Sequence, residues 1–167
     1  MLILIIRWVS EVSHEHYLQQ AIELAVNNAS TGQGGPFGAL IVKNNQIIAA
    51  TANQVTSLLD PTAHAEIMAI RLACQKLHDF QLTDCILYSS CEPCPMCLGA
   101  IYWTRLAKVY FACNRHDAAA VQFDDNFIYD EIAQLPAQRK IPMQHIQLAN
   151  ALQPFESWVA KKDKKLY

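Results

Sequence analysis

A three-layer α/β domain, with a mixed sheet between helices, is the fold that this sequence predicts, and three observations predict it. Short β-type apolar runs alternate with segments of helical periodicity. The first two such runs lie close enough in sequence to pair antiparallel, which makes the sheet mixed. The 167 residues suffice for one well-buried core, and no repeat, linker or low-complexity stretch divides them.

The elements follow in order. Between Ser13 and about Ala29, Tyr17, Leu18, Ala21, Ile22, Leu24, Ala25 and Val26 keep near-helical spacing, and the turn Thr31-Gly32-Gln33-Gly34-Gly35-Pro36 ends that helix. Residues 39–42 and 47–50 are strand-like and flank Lys43-Asn44-Asn45-Gln46, so they read as a hairpin. Asp60 as N-cap, with Pro61 in the first helical position, opens a second helix. Its apolar stripe is Ile67, Ile70, Cys74 and Leu77, which puts His64 and Glu66 near its start. Residues 85–88 form a third strand. Pro95 then suits the first turn of a third helix carrying Leu98, Ile101 and Tyr102, with Cys94 and Cys97 at its N-terminus. Residues 109–112 read as a fourth strand, 127–133 as a short helix, 145–148 as a fifth and weaker strand, and 155–165 as a terminal helix. The expected sheet is therefore five-stranded.

Composition excludes several classes. Lys plus Arg number 13 against 15 Asp plus Glu, for a net charge of −2, and no basic stripe crosses the chain, so no nucleic-acid partner is expected. Lys161, Lys162, Lys164 and Lys165 read as a solvated helix end that complements its own dipole. A hydrophobic content of 52% beside 17% charged residues points to surface buried between subunits, hence an oligomer. Of six cysteines, three crowd into 91–97, while Cys74, Cys85 and Cys113 lie in apolar runs like buried thiols. This favours a reducing, cytoplasmic home over a disulfide framework. Residues 1–6 are apolar but lack a charged lead-in, sufficient length and a small-residue cleavage site, so neither a signal peptide nor a membrane span is expected. An extra strand, an interface segment and a mis-chosen start codon all stay open for them.

Two short motifs carry the chemistry. His64-Ala65-Glu66 and Pro93-Cys94-Pro95-Met96-Cys97 supply three soft or borderline metal ligands and one carboxylate that binding does not need. A structural zinc site is closed by four protein ligands, whereas a catalytic one keeps three and leaves the fourth position to water. With Cys94 as N-cap and Cys97 as the third helical residue, both sulfurs face one helix end, where the dipole favours thiolates. His64 completes a Cys2His set for Zn2+, one per subunit, and Glu66 stands beside it as proton acceptor and donor. Such a set suits hydrolytic attack on an electrophilic carbon. Cys91-Glu92-Pro93-Cys94 is a second C-x-x-C that competes for Cys94, and a redox dithiol or structural metal is the alternative use of the sulfurs. The accompanying His-x-Glu favours catalytic zinc, with Cys91 a buried thiol behind the site. His14, His16, His78, His116 and His145 lack partners at ligand spacing and read as surface or core histidines.

With these motifs the chain resembles the cytidine deaminase-like superfamily. Gly34-Gly35-Pro36-Phe37-Gly38-Ala39, Pro61-Thr62-Ala63-His64-Ala65-Glu66, Cys91 through Trp103, and Phe123-Asp124-Asp125-Asn126-Phe127-Ile128-Tyr129 look like its bacterial guanine deaminase branch, from about His14 to Tyr167. The resemblance implies hydrolysis of a small purine base, guanine, to xanthine and ammonia, with tRNA adenosine or another nucleobase or nucleoside as the alternative substrate. It implies His64, Cys94 and Cys97 on zinc, Glu66 as proton shuttle, and Asp125 as a second acid that contacts the base. It also implies a base pocket shaped by Asn53, Phe37, Ala65 and Trp103. Finally, it implies a homodimer in which the C-terminal segment crosses to the partner and Tyr167 closes the other subunit's site. The corresponding division is an N-terminal extension at 1–13, a zinc deaminase core at 14–150 and a helix and swapped tail at 151–167. Gln122 stands where the resemblance implies a small residue.

Overall fold

Asn44 and Asn45 take φ of 50° and 60°, the left-handed region that asparagine tolerates. They reverse the chain in a two-residue loop and set β1 (Gly38–Lys43) antiparallel to β2 (Gln46–Ala52). The computed structural model describes residues 13–166, so the expectations placed on residues 1–12 and on Tyr167 lie outside the described residues. β3 (Ile86–Cys91) pairs antiparallel with β1, with Leu40 opposite Tyr88 and Ile41 opposite Leu87. β4 (Lys108–Cys113) runs parallel to β3, giving the order β2-β1-β3-β4.

The sheet is mixed, as expected, but among the described residues it has four strands rather than five. Residues 145–148 form no strand, and Ile146 and Leu148 are exposed. An alternating pattern makes a strand only where a neighbouring backbone accepts its ladder and a face covers its apolar side.

The two faces of the sheet take different helices because side chains alternate along each strand. Leu40, Val42 and Tyr88 meet Tyr17 and Ala21 of α1 (His14–Ser30). Ala39, Ile41 and Leu87 share a cluster with Ala65, Ala69, Ile70 and Ala73 of a second long helix and Ile101 of a third. A short helix, α2 (Val55–Leu58), precedes these two, which are α3 (Ala65–Leu77) and α4 (Pro95–Thr104). Covered on both faces, β1 is one of the two inner strands and is almost wholly apolar. Leu87 of β3, opposite Ile41, is fully buried, so Leu87→Ala is expected to lower stability by about 2–5 kcal/mol in denaturant unfolding. A loss under about 0.5 kcal/mol, the usual size of a surface substitution, refutes its place in the core.

Local details of the fold have physical causes. The helix assigned to Asp60 begins only at Ala65. Asp60 instead accepts from the Thr62 amide at 2.8 Å and the Thr62 hydroxyl at 2.7 Å, a side-chain-capped turn that competes with helix. A further helix, α5 (Arg115–Ala119), is nucleated by a reciprocal cap between Asn114 and Asp117. Gln122 holds φ at 73°, the left-handed region that favours glycine, which accounts for a small residue being expected there. His14 proves structural, bridging the hydroxyls of Tyr88 and Tyr110 at 2.8 and 2.9 Å.

The chain divides into two compact units, Met1–Asp124 and Asp125–Tyr167. The second holds α6 (Asn126–Ala133), a single 3-10 turn (Pro136–Gln138) and α7 (Gln153–Ala160), and none of its described residues is buried. Among the described residues no helix is long and apolar enough to cross a membrane.

Candidate metal centre and catalytic site

Two helix beginnings converge on one point. His64 is the N-cap of α3 and Cys94 the N-cap of α4, both in extended backbone, and neither spends its side chain on capping. Pro95 pre-sets the first turn of α4, so Cys97, its third residue, comes round beside Cys94. His64 Nδ1 lies 3.5 Å from Cys94 Sγ and 3.6 Å from Cys97 Sγ. The three ligand atoms all fall within 4.8 Å of one another. That spacing suits sulfur and nitrogen ligands at about 2.0–2.3 Å from a shared tetrahedral zinc, and the soft donor set selects it.

Electrostatics favour a cation here. A hydrogen bond from Cys97, with His64 assisting and burial opposing, holds the Cys94 thiol down at about 4. The same bond, together with burial and the Glu66 carboxyl, pushes the Cys97 thiol above its usual value. A thiolate attracts a cation, and the unsatisfied, partly positive amides at the two helix starts stabilise the thiolate form. Cys91, fully reduced and buried, is pushed up to about 11 mainly by burial, which makes it an inert thiol.

Glu66 follows His64 by two residues and is only 5% exposed. Its Oε1 accepts from the Ser89 hydroxyl at 3.0 Å, while Oε2 lies 3.5 Å from Cys97 Sγ. Burial pushes its carboxyl above the ordinary carboxylate range, and the Ser89 bond works against that shift. A carboxyl that is desolvated, oriented and next to a metal ligand set is placed for proton transfer.

One wall beside the ligands is built from the end of β2. The Thr51 hydroxyl donates to the Ala65 carbonyl at 2.7 Å and the Gln54 amide to that of Ala63 at 2.9 Å, bracketing His64. Asn53 lies between those two anchors and is buried. Its amide donates to the Phe37 carbonyl at 3.0 Å, and its Oδ1 accepts from the Gly35 and Val55 amides. Phe37 meets Phe123 edge to face at a ring separation of 5.0 Å.

The structure thus brings His64, Cys94, Cys97 and Glu66 together and sets Ala65, Asn53 and, through Asn53, Phe37 alongside. Trp103 stands nearly two turns beyond Cys97 on α4 and is 64% exposed. Asp125 occupies the N-cap position of α6 in the second unit. Ser89 was not anticipated. Its signal was the alternation of β3, which sends Leu87 and Ser89 to the face that α3 covers.

The family described as the cytidine and deoxycytidylate deaminase zinc-binding region matches residues 11–113. The guanine deaminase of Bacillus subtilis (strain 168) is 52% identical over 156 residues, which are 93% of this chain and 100% of the relative. A solved structure of guanine deaminase from Bacillus subtilis superposes with a TM-score of 0.91 at 52% identity, covering 93% of this chain and 99% of that one. The tRNA-specific adenosine deaminase of Aquifex aeolicus (strain VF5) is 43% identical over 98 residues, 59% of this chain and 64% of the relative.

Proposed function

The chain belongs to the cytidine and deoxycytidylate deaminase zinc-binding family, and we propose that it is a zinc-dependent guanine deaminase, hydrolysing guanine to xanthine and ammonia. The observation that carries this reading is the extent of the likeness: it runs the full length of the guanine deaminase relative, the second unit included, whereas the tRNA deaminase relative matches 59% of the chain. The net charge of −2 also gives little purchase to an RNA backbone.

His64, Cys94 and Cys97 would hold the zinc, which when bound would supply a water acidic enough to lose a proton near neutral pH. Glu66 moves the protons. The Ser89 hydroxyl orients the carboxyl through Oε1, and Oε2, on the side of the Cys97 sulfur, faces the ligand set, so it is the oxygen placed to take a proton and pass it first to the ring nitrogen beside C2 and then to the departing amine. Addition of one water and loss of one ammonia balance the reaction. Asn53 has its Oδ1 engaged by two backbone amides, so its NH2 is the end that addresses the purine. Phe37 and Trp103 offer it apolar faces, and Ala65 keeps the floor small. Asp125 accepts from guanine N–H groups, a role that a carboxylate fills and that adenine would meet differently.

We further propose a homodimer whose C-terminal segment, closing with Tyr167, crosses to the partner's site. Support comes from the second unit, where Phe155, Val159 and Leu152 are all exposed and no described residue is buried. Apolar helices without a core of their own need another surface. The expected compartment is the cytoplasm, consistent with six reduced cysteines.

Incubating the zinc-loaded protein with guanine, adenine, guanosine, cytosine and tRNA tests the reading. Xanthine and ammonia in equal amounts from guanine are expected. Inosine formed in tRNA with guanine untouched overturns it in favour of the RNA enzyme.

A further inference from the structure

The wall that carries Phe37 and Asn53 is held by a residue with no place in the chemistry. Asn28, in the last turns of α1, is polar yet only 5% exposed. Its single NH2 group donates twice, to the Gly35 carbonyl at 2.8 Å and to the Asn53 carbonyl at 2.9 Å. Both of its N–H bonds are therefore used, one on each of two segments that are distant in sequence and adjacent in space.

Gly34 lies in the same joint. A Cβ placed on it would sit 2.2 Å from the Asn53 carbonyl oxygen and 2.8 Å from Asn28 Nδ2. Backbone oxygen does not yield to that degree, so the approach of the two segments tolerates no side chain there. The remaining ties, Asn53 N–H to Phe37 O and Gly35 N–H to Asn53 Oδ1, run between the two segments themselves. Asn28 is the one of these partners that belongs to α1 and thus to the rigid helical layer.

We infer that Asn28 is a positioning residue for substrate binding, fixing the Gly34–Gly35 turn to the Asn53 segment so that Asn53 Nδ2 and the Phe37 ring meet the base at the right separation. This rests on the reading above that Asn53 and Phe37 line the base pocket. The metal ligands and Glu66 stand at the starts of α3 and α4, and the Thr51 and Gln54 bonds that bracket His64 do not involve Asn28, so the zinc content of a variant reports whether loosening the joint reaches them. An interaction lost from base binding alone raises KM with little change in kcat, whereas partial unfolding lowers kcat at constant KM.

The test compares the parent chain with Asn28→Ala and Asn28→Asp, the latter setting a carboxylate against two carbonyl oxygens. Zinc content, melting temperature, kcat and KM are measured on whichever free base the parent turns over. A KM raised about 10–100-fold, with kcat within about threefold and one zinc per chain, is expected from the loss of two buried hydrogen bonds. Gly34→Ala strikes the joint from the other side and is expected to reproduce that split, even if the Asn28 variants fold poorly. An unchanged KM in folded Asn28→Asp, or in Gly34→Ala, overturns the inference. So does a fall in kcat or zinc at constant KM. A parent chain that ignores guanine but deaminates another base overturns the guanine reading alone, and the KM split on that other base still decides the role of Asn28.

Discussion

Glu66→Gln keeps its zinc and loses about 10³–10⁴-fold in turnover, near the upper end of what general acid–base catalysis contributes. The substitution is nearly isosteric and removes only the capacity to hold and release a proton. Glu66 is not one of the three ligands, so metal analysis of the variant gives one zinc per chain. Its place at the start of α3 survives, because the amide oxygen still accepts from the Ser89 hydroxyl that now bonds Oε1 at 3.0 Å. The cost exceeds that of an exposed catalytic acid because the group serves several steps in a buried setting, where no bulk water stands in for it. Ammonia release at a tenth or more of the parental rate rejects the shuttle role. Zinc lost together with activity instead makes Glu66 a ligand, and the three-ligand site is then wrong.

Cys97→Ala gives the second large effect, by a different route. Cys97 is fully buried and supplies one of the three ligand atoms clustered within 4.8 Å. Its removal leaves an imidazole and a single thiolate. Losing a residue that only supports a ligand already weakens metal binding about 10–100-fold, and loss of the ligand itself is expected to exceed that. The purified variant therefore carries well under one zinc per chain and releases ammonia no faster than buffer. Its secondary structure is retained, since the helix that bears it is also held by Ile101 in the core. Stoichiometric zinc with normal turnover in Cys97→Ala reassigns the third ligand and removes the basis for an open, catalytic coordination position.

The contrast between these two residues shows how much of the site was legible. His64, Cys94 and Cys97 could be read because zinc dictates ligand types and helix starts dictate spacing: an N-cap and its third helical residue bring two sulfurs to one point whatever the rest of the chain does. Glu66 was singled out as the acid left over, and the fold does carry it beside the Cys97 sulfur, while its role awaits Glu66→Gln. Ser89 and Asn28 could not be read this way, because nothing local distinguishes them. A serine in a strand and an asparagine near a helix end are ordinary until the fold carries Glu66 to the first and the Gly35 and Asn53 carbonyls to the second.

The same division runs through the fold. Alternating apolar runs, the Asn44-Asn45 turn and Pro95 determined the hairpin, the alternation of helix and strand and the entry to α4, since each acts over a few residues. Only tertiary structure decided that β1 and β3 lie inside the sheet, that α1 takes one face while α3 and α4 take the other, and that residues 145–148 are not a strand. Pairing and burial depend on which backbone arrives alongside, and that is settled by the packing of the whole chain rather than by any one segment.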